Sequence, residues 1–435
     1  MTATPTQAQA SRRLASFYAR RKSWNLWVAF VGLILFLPML WLGQSFEAEG
    51  YATRTYSTTL WWCLLPYALA VRWQYKTTHV PTTEQVTLLV LNMLVPFGLL
   101  VLAFALLQQP YSRGAVLMVA GVVLFWFGLS ERLAQRIFKL ELLVLDTSAA
   151  DELQDQLPKH HAYLGERIAL VRWADDQDRP PECDGVMLSA VQALTPKAQT
   201  QLAQLKQNHV RLYSAATISE LLTGRIASTV LKDPLWQPDG NPAYDIAKRV
   251  LDVVVVVATA PAWIPLGALV ALAIKWDSPG SAVFSQWRTG QHGRPFRIHK
   301  FRTMVVQTQD KAQFAQVNDK RITRLGHFLR KSRLDEIPQL VNVLLGNMSL
   351  IGPRPEQHTF VNDFAVTIPS YPYRHLVRPG VTGWAQVMQG YAASAEETSV
   401  KLSYDLYYVK HYSLALDLLI VAKTIRTVLT GFGAR

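Results

Sequence analysis

Cysteine is close to absent: Cys63 and Cys183 are the only two in 435 residues. One falls in an apolar stretch and the other in a polar one, so neither a disulfide framework nor a cysteine-based metal site can be assembled. The soluble parts are therefore compatible with a reducing compartment. None of the ten histidines falls at a metal-ligand spacing, so they read as ordinary polar residues. A glycine-rich turn is also missing where a dinucleotide-binding fold would need one. The strand-like run 140–146 leads instead into Asp146-Thr147-Ser148-Ala149-Ala150, which argues against cofactor binding. No cleavable signal peptide can be read, because the first apolar run follows a polar, arginine-containing stretch and offers no clear small-residue cleavage site. The first segment is expected to be a retained anchor.

What is abundant points to a membrane. Half of the residues are hydrophobic and thirteen are tryptophan. The formal net charge of +13 calls for an anionic partner: nucleic acid, acidic lipid headgroups or a phosphorylated substrate. The apolar segments leave nucleic acid the weakest of the three, and none is expected.

Four apolar runs fill the first third, at 26–42, 55–71, 86–107 and 114–129, each near the ~17–25 residues of a spanning helix. Arg12, Arg13, Arg20, Arg21 and Lys22 precede the first, Arg72 and Lys76 follow the second, and Arg132, Arg136 and Lys139 follow the fourth. The other two loops hold only Arg54 and Arg113. By the positive-inside rule both ends of this transmembrane bundle, residues 1–136, lie in the cytoplasm. Pro66 and Pro96 predict kinks. From 137 to 231 the pattern becomes that of a small α/β, Rossmann-like cytoplasmic domain: strand-like runs at 140–146, 167–173, 185–190 and 210–213 alternate with helix-forming stretches such as 196–207. Asp176-Gln177-Asp178 resembles a two-aspartate metal motif, but in a polar loop it reads as a solvated turn. A proline-rich linker, 232–242, follows.

The third domain, 243–435, is expected to be mostly α. Its first feature, the run 250–274, is apolar and long enough to span a bilayer, yet Pro261 and Pro265 interrupt it. Lys248 and Arg249 precede it, and Lys275, Arg288, Arg294, Arg297, Lys300 and Arg302 follow. A plain fifth spanning helix would move one basic flank across the membrane, whereas a re-entrant hairpin bent at the prolines keeps both in the cytoplasm. The stretch that organises the rest is 321–356, RITRLGHFLRKSRLDEIPQLVNVLLGNMSLIGPRPE. Arg321, Arg324, Arg330, Lys331 and Arg333 crowd cations ahead of Asp335-Glu336. Pro338 followed by Leu340, Val341, Leu344 and Leu345 predicts a helix that starts between Ser332 and Asp335. Asp335 would then sit at a helix N-terminus, where anions are favoured and its own basicity is depressed. Two carboxylates in an anion cradle would repel a phosphate unless one binds a divalent cation or one attacks. Further on, Pro353 and Pro355 fix the backbone around Arg354, a fork suited to phosphate. Read alone, each of these features is also an ordinary cap, ion pair or rigid turn.

Taken in order, Lys248-Arg249-x-x-Asp252, the broken apolar run, Asp277-Ser278-Pro279-Gly280, FSQWRTG, KFRTM, RITRLG, LDEIPQ, GPRP and PGVTGW resemble the bacterial sugar transferases, polyprenyl-phosphate phosphoglycosyl transferases. The likeness runs from Ala243 to the C-terminus, and the preceding membrane helices and α/β domain resemble the long form of that family. The resemblance implies transfer of a sugar 1-phosphate from a UDP-sugar to undecaprenyl phosphate with Mg2+, releasing UMP and starting exopolysaccharide, capsule or O-antigen synthesis. It also implies a place in the bacterial inner membrane among its lipids, with the catalytic domain on the cytoplasmic face and a re-entrant membrane helix. By position, Asp335 is the implied nucleophile, Glu336 the implied magnesium ligand and Arg354 the nucleotide contact. Lys300, Arg302 and Arg330 are implied phosphate contacts, and Arg321 is grouped with them as substrate-binding. The chain departs from the family at Ile264, where serine is frequent before the bend proline, and at Met388-Gln389-Gly390-Tyr391, where Asn-Gly-Arg is usual. A non-catalytic scaffold for polysaccharide assembly and a UDP-releasing glycosyltransferase are the alternatives. The sugar, the pathway and the oligomeric state, a homo-oligomer among the options, are left open.

Overall fold

The structure is a computed structural model that describes residues 17–47, 51–76, 84–145, 147–156, 168–173, 181, 183–189, 194–207, 210–226, 240, 242–305, 321–389 and 395–430. Asp176-Gln177-Asp178, most of the linker 232–242 and Gly390-Tyr391 lie outside the described residues. The chain divides into two compact units, Met1–Gly224 and Arg225–Arg435.

The first unit opens with helices α1 (Phe17–Glu47), α2 (Tyr51–Trp62), α3 (Leu64–Lys76), α4 (Gln85–Leu106) and α5 (Arg113–Ile137). Leu60, Met93, Ala115 and Val119 are fully buried where they pack. Both α4 and α5 are long and apolar enough to cross a membrane, and α1 contains the shorter apolar helix Ser23–Met39. The kink expected from Pro66 appears as a break at Cys63 between α2 and α3. A proline four residues beyond Trp62 cannot donate to the Trp62 carbonyl and crowds it. Pro96, by contrast, leaves α4 a single helix.

Among its described residues the same unit has four short strands, β1 (Leu140–Val144), β2 (Ile168–Arg172), β3 (Gly185–Leu188) and β4 (Arg211–Ser214), all parallel in the order β2-β1-β3-β4. The first three lie within the strand-like runs that predict them, and β4 runs one residue past the end of 210–213. Alternation sends side chains to two faces. Leu142, Val144 and Met187 pack with helices α6 (Thr147–Gln156) and α8 (Ala215–Thr223), whereas Leu143, Val186 and Leu188 pack with α7 (Pro196–Gln207).

The second unit begins with α9 (Pro242–Ala258) and α10 (Ala260–Asp277), which meet at Thr259 with a bend of 62°. By length and composition the pair is a broken span or a re-entrant loop. Pro261 lies in the first turn of α10 and Pro265 inside it, so the turn falls ahead of both prolines. The ladder of α9 stops here, and side chains donate to carbonyls of its last turn. The Thr259 hydroxyl donates to the Val255 and Val256 carbonyls at 2.7 and 3.3 Å, and the Trp263 indole N–H donates to Val256 at 2.9 Å. Side chains at 259 and 263 therefore close a bend whose proline is preceded by Ile264.

Strands β5 (Val283–Thr289) and β6 (Pro295–Phe301) form an antiparallel hairpin, followed by α11 (Arg324–Lys331) and α12 (Gln339–Leu344). Next come β7 (Ser349–Ile351), α13 (His358–Thr367), β8 (Gly380–Thr382) parallel to β7, and α14 (Trp384–Met388). Helices α15 (Ala395–His411) and α16 (Leu414–Thr430) end the unit. Lys248-Arg249-x-x-Asp252 is a staple from α9 to three other elements. Lys248 pairs with Asp417 of α16, and Arg249 donates to the Val343 and Leu344 carbonyls that end α12. Asp252 accepts from the Leu350 N–H of β7 at 3.2 Å. The GPRP and PGVTGW segments interlock backbone to backbone. A Cβ on Gly380 would lie 2.1 Å from the Gly352 nitrogen, and one on Gly383 would lie 2.1 Å from the Gly352 carbonyl oxygen.

Candidate active site

Arg333 sits in the left-handed region at φ 60°, a conformation that costs a non-glycine residue about 1 kcal/mol. It ends α11 and turns the chain into a single 3-10 turn, Leu334–Glu336. The expected helix start between Ser332 and Asp335 is therefore corrected: α12 begins at Gln339 with Pro338 as its cap, and the carboxylates lie on the turn before it. A helix of six residues has too few aligned peptides to dominate a neighbouring carboxylate. Burial dominates instead.

Asp335 and Glu336 are only 8% and 7% exposed. Three cations converge on Glu336 Oε1. Arg354 approaches to 2.7 Å, Lys300 to 3.1 Å and Arg333 to 3.8 Å. Burial alone would raise the Glu336 proton affinity, but Arg354, Lys300 and Arg333 together outweigh it and hold the group well below the usual carboxylate range. Asp335 goes the other way. Burial, then the charge of Glu336, push it up to about 6 against Lys300, Arg354 and Arg333. This overturns the depressed basicity expected from a helix N-terminus. Among the described residues Asp335 Oδ1 is buried without a hydrogen-bond partner.

The cations reach this point by separate routes. Lys300 is on β6 and faces Glu336, with its proton affinity lowered by burial and then by Arg354. Arg354 extends from the Pro353–Pro355 turn after β7, and that turn is anchored from behind. The buried Arg374 donates to the Arg354 carbonyl at 2.9 Å, to Asp405 at 2.7 Å and to the Tyr371 hydroxyl at 2.8 Å. Tyr408 donates to the Ile351 carbonyl at 3.2 Å.

The other expected phosphate contacts are placed differently. Arg302 is 8% exposed, and its guanidinium donates to the Ser278 carbonyl at 2.6 Å and to the Pro279 carbonyl at 2.9 Å, closing the loop after α10. Because β6 ends at Phe301, Arg302 falls outside the alternation that aims Lys300. Arg330 turns its Nε to the Thr303 hydroxyl at 2.9 Å, and Arg321 accepts through its carbonyl from the Val305 N–H. Arg333 is legible only as one of a run of cations, and nothing in the sequence marks Arg374.

Among the described residues no three His, Cys, Asp or Glu side chains group to hold a metal. Magnesium requires fewer, since one or two carboxylates with substrate phosphates and waters complete its shell. Glu336, which takes its three cations on Oε1 and so keeps a second oxygen, supplies such a carboxylate. The arrangement suits a diphosphate, whose charge the three cations would balance while a carboxylate oxygen approaches phosphorus.

Residues 243–431 match the family described as bacterial sugar transferase. Over 369 residues the chain is 40% identical to the UDP-N-acetylgalactosamine-undecaprenyl-phosphate N-acetylgalactosaminephosphotransferase of Aeromonas hydrophila, covering 83% of this chain and 84% of that protein. It is 45% identical over 192 residues to the UDP-glucose:undecaprenyl-phosphate glucose-1-phosphate transferase of Caulobacter vibrioides, covering 43% of this chain and 72% of that one. The exopolysaccharide production protein PSS of Rhizobium leguminosarum is 37% identical over 192 residues, which are 42% of this chain and 96% of that protein. The first of these likenesses runs through most of both chains, and the match to the family takes in the carboxylate turn, Lys300 and Arg354 together: the chain belongs to the bacterial sugar transferase family.

Proposed function

We propose that the chain transfers a sugar 1-phosphate from a UDP-sugar to undecaprenyl phosphate, giving undecaprenyl-diphosphate sugar and UMP, through a covalent intermediate on Asp335. The observation that carries this reading is the asymmetry of the pair: among the described residues Glu336 gathers three cations while Asp335 Oδ1 has no partner. A carboxylate so placed is available to attack. Its oxygen forms a bond to the β-phosphorus of the UDP-sugar, the bond from that phosphorus to the bridging oxygen breaks, and UMP leaves with the electron pair. An oxygen of undecaprenyl phosphate then attacks the same phosphorus and the Asp335 carboxylate departs unchanged. Lys300, Arg333 and Arg354 balance the diphosphate charge throughout, and an elevated proton affinity suits Asp335 as a nucleophile once ionised. Magnesium, held by Glu336 with the substrate's phosphates, would supply further neutralisation there.

The Aeromonas and Caulobacter relatives named above act on UDP-sugars and undecaprenyl phosphate, and α4, α5 and the bent α9–α10 pair suit an enzyme whose acceptor resides in a membrane. We assign the reaction to the cytoplasmic face of the bacterial inner membrane, as the first membrane step of an exopolysaccharide, capsule or O-antigen. The test is single turnover with UDP-sugar labelled in the β-phosphate, across a panel that includes UDP-N-acetylgalactosamine and UDP-glucose. Labelled protein and UMP should form before lipid is added, and Asp335→Asn should abolish both. UDP in place of UMP would indicate an ordinary glycosyltransferase, and UMP formed only with lipid present would indicate direct attack by the lipid phosphate.

A further inference from the structure

Among the described residues strand β6 is paired with β5 on one edge only. In an antiparallel ribbon the backbone groups of alternate residues face outward and need partners of their own when buried. Two of these on the outer edge of β6, the Arg297 carbonyl and the His299 N–H, end on one side chain. The Asn342 amide donates from Nδ2 to the Arg297 carbonyl at 2.7 Å and accepts at Oδ1 from the His299 N–H at 3.1 Å. Asn342 is fully buried on α12. Its planar amide, with donor and acceptor side by side, takes the place of a missing third strand and leaves β6 one register against α12.

That register matters because the same two elements also meet at the active site. Lys300 follows His299 directly, and Glu336 precedes Asn342 on the turn leading into α12. The two are joined at 3.1 Å. Lysine is a flexible four-carbon stem with three rotatable donors, so it does not set its own geometry. The amide clamp beside it does. We propose that Asn342 is a positioning residue for the transfer reaction, which sets where the Lys300 ammonium stands relative to Glu336 and the incoming diphosphate. The role rests on the function proposed above.

The full-length protein in nanodiscs provides the test. Asn342→Leu removes both hydrogen bonds, and Asn342→Ser keeps a hydroxyl too short to reach both backbone groups and guards against a variant that does not fold. Each should lower kcat for UMP release by about tenfold or more, with KM for the UDP-sugar moving less than about threefold. Hydrogen exchange at the peptide containing His299 should quicken. The deciding measurement is a double-mutant cycle with Lys300→Met. If Asn342 acts through Lys300, its replacement adds little to the loss already caused by Lys300→Met. Losses that multiply in the double variant, with UMP release by the wild type intact, would overturn the positioning role and leave the proposed function standing. Absence of UMP release from the wild type would overturn both.

Discussion

Asp335 and Glu336 are neighbours that titrate in opposite directions, and the difference follows from which oxygen the cations reach. With Asp335 raised to about 6, the attacking carboxylate is protonated on the acid side of that value. The rate of lipid-independent UMP release should climb as pH rises from 5 to 7 and then level, and a rate flat across that window would show that Asp335 ionises elsewhere. Stability carries the opposite sign. A carboxyl whose folded-state value lies above its unfolded one stabilises the fold only while it is protonated, and that contribution is lost as pH rises through about 6. Above that range the ionised Asp335 opposes folding by up to about 3 kcal/mol, using 1.36 kcal/mol per unit. Asp335→Asn should therefore raise the melting temperature at pH 7.5 while eliminating the labelled enzyme, and a lower melting temperature would contradict the assignment. At this scale the sequence is legible where proline or adjacency fixes a side chain, as at Arg354 and the carboxylate pair. It is illegible where direction depends on where a strand stops, which is why Arg302 and Lys300, two residues apart, have different partners.

Elements were easier to read than side chains. The four strands of the α/β region declare themselves through short apolar runs, and the break in the run 250–274 through its prolines. Short apolar runs and missing N–H groups are both local properties of the sequence. Two features needed tertiary information. The helix after the carboxylates starts later than its periodicity suggests because Arg333 takes a positive φ and the chain makes a separate turn. The bend of α9–α10 falls at Thr259, where a hydroxyl and an indole donate to carbonyls of the last turn of α9. Thr259→Val preserves shape and removes the hydroxyl, so it should cost about 1 kcal/mol, read as a lower melting temperature in detergent. Thr259→Ser should retain most of that stability. Equal melting of the valine variant and the wild type would mean that the Thr259 hydroxyl contributes nothing there.

For the molecule as a whole, the bent α9–α10 pair should return to the side from which it enters. Single cysteines at the exposed positions Asp245 and Lys275, in a chain lacking Cys63 and Cys183, should react alike with an impermeant reagent applied to the cytoplasmic face. Opposite reactivity would make the pair a spanning helix. The 192 residues shared with the Rhizobium relative are 96% of that protein and 42% of this chain, and a chain beginning at Pro242, which keeps every residue placed at the site, should still release UMP from a UDP-sugar. A folded truncation without that activity would assign chemistry to the first unit. The interlock of Gly352 with Gly380 and Gly383 constrains attempts to redesign sugar choice by exchange between relatives. Since the two segments touch through backbone atoms at distances that exclude even a methyl group, neither can follow a change in the other by altering a side chain. A graft of residues 378–389 must bring residues 349–356 from the same donor, and the two behave as one heritable cassette despite the helix between them.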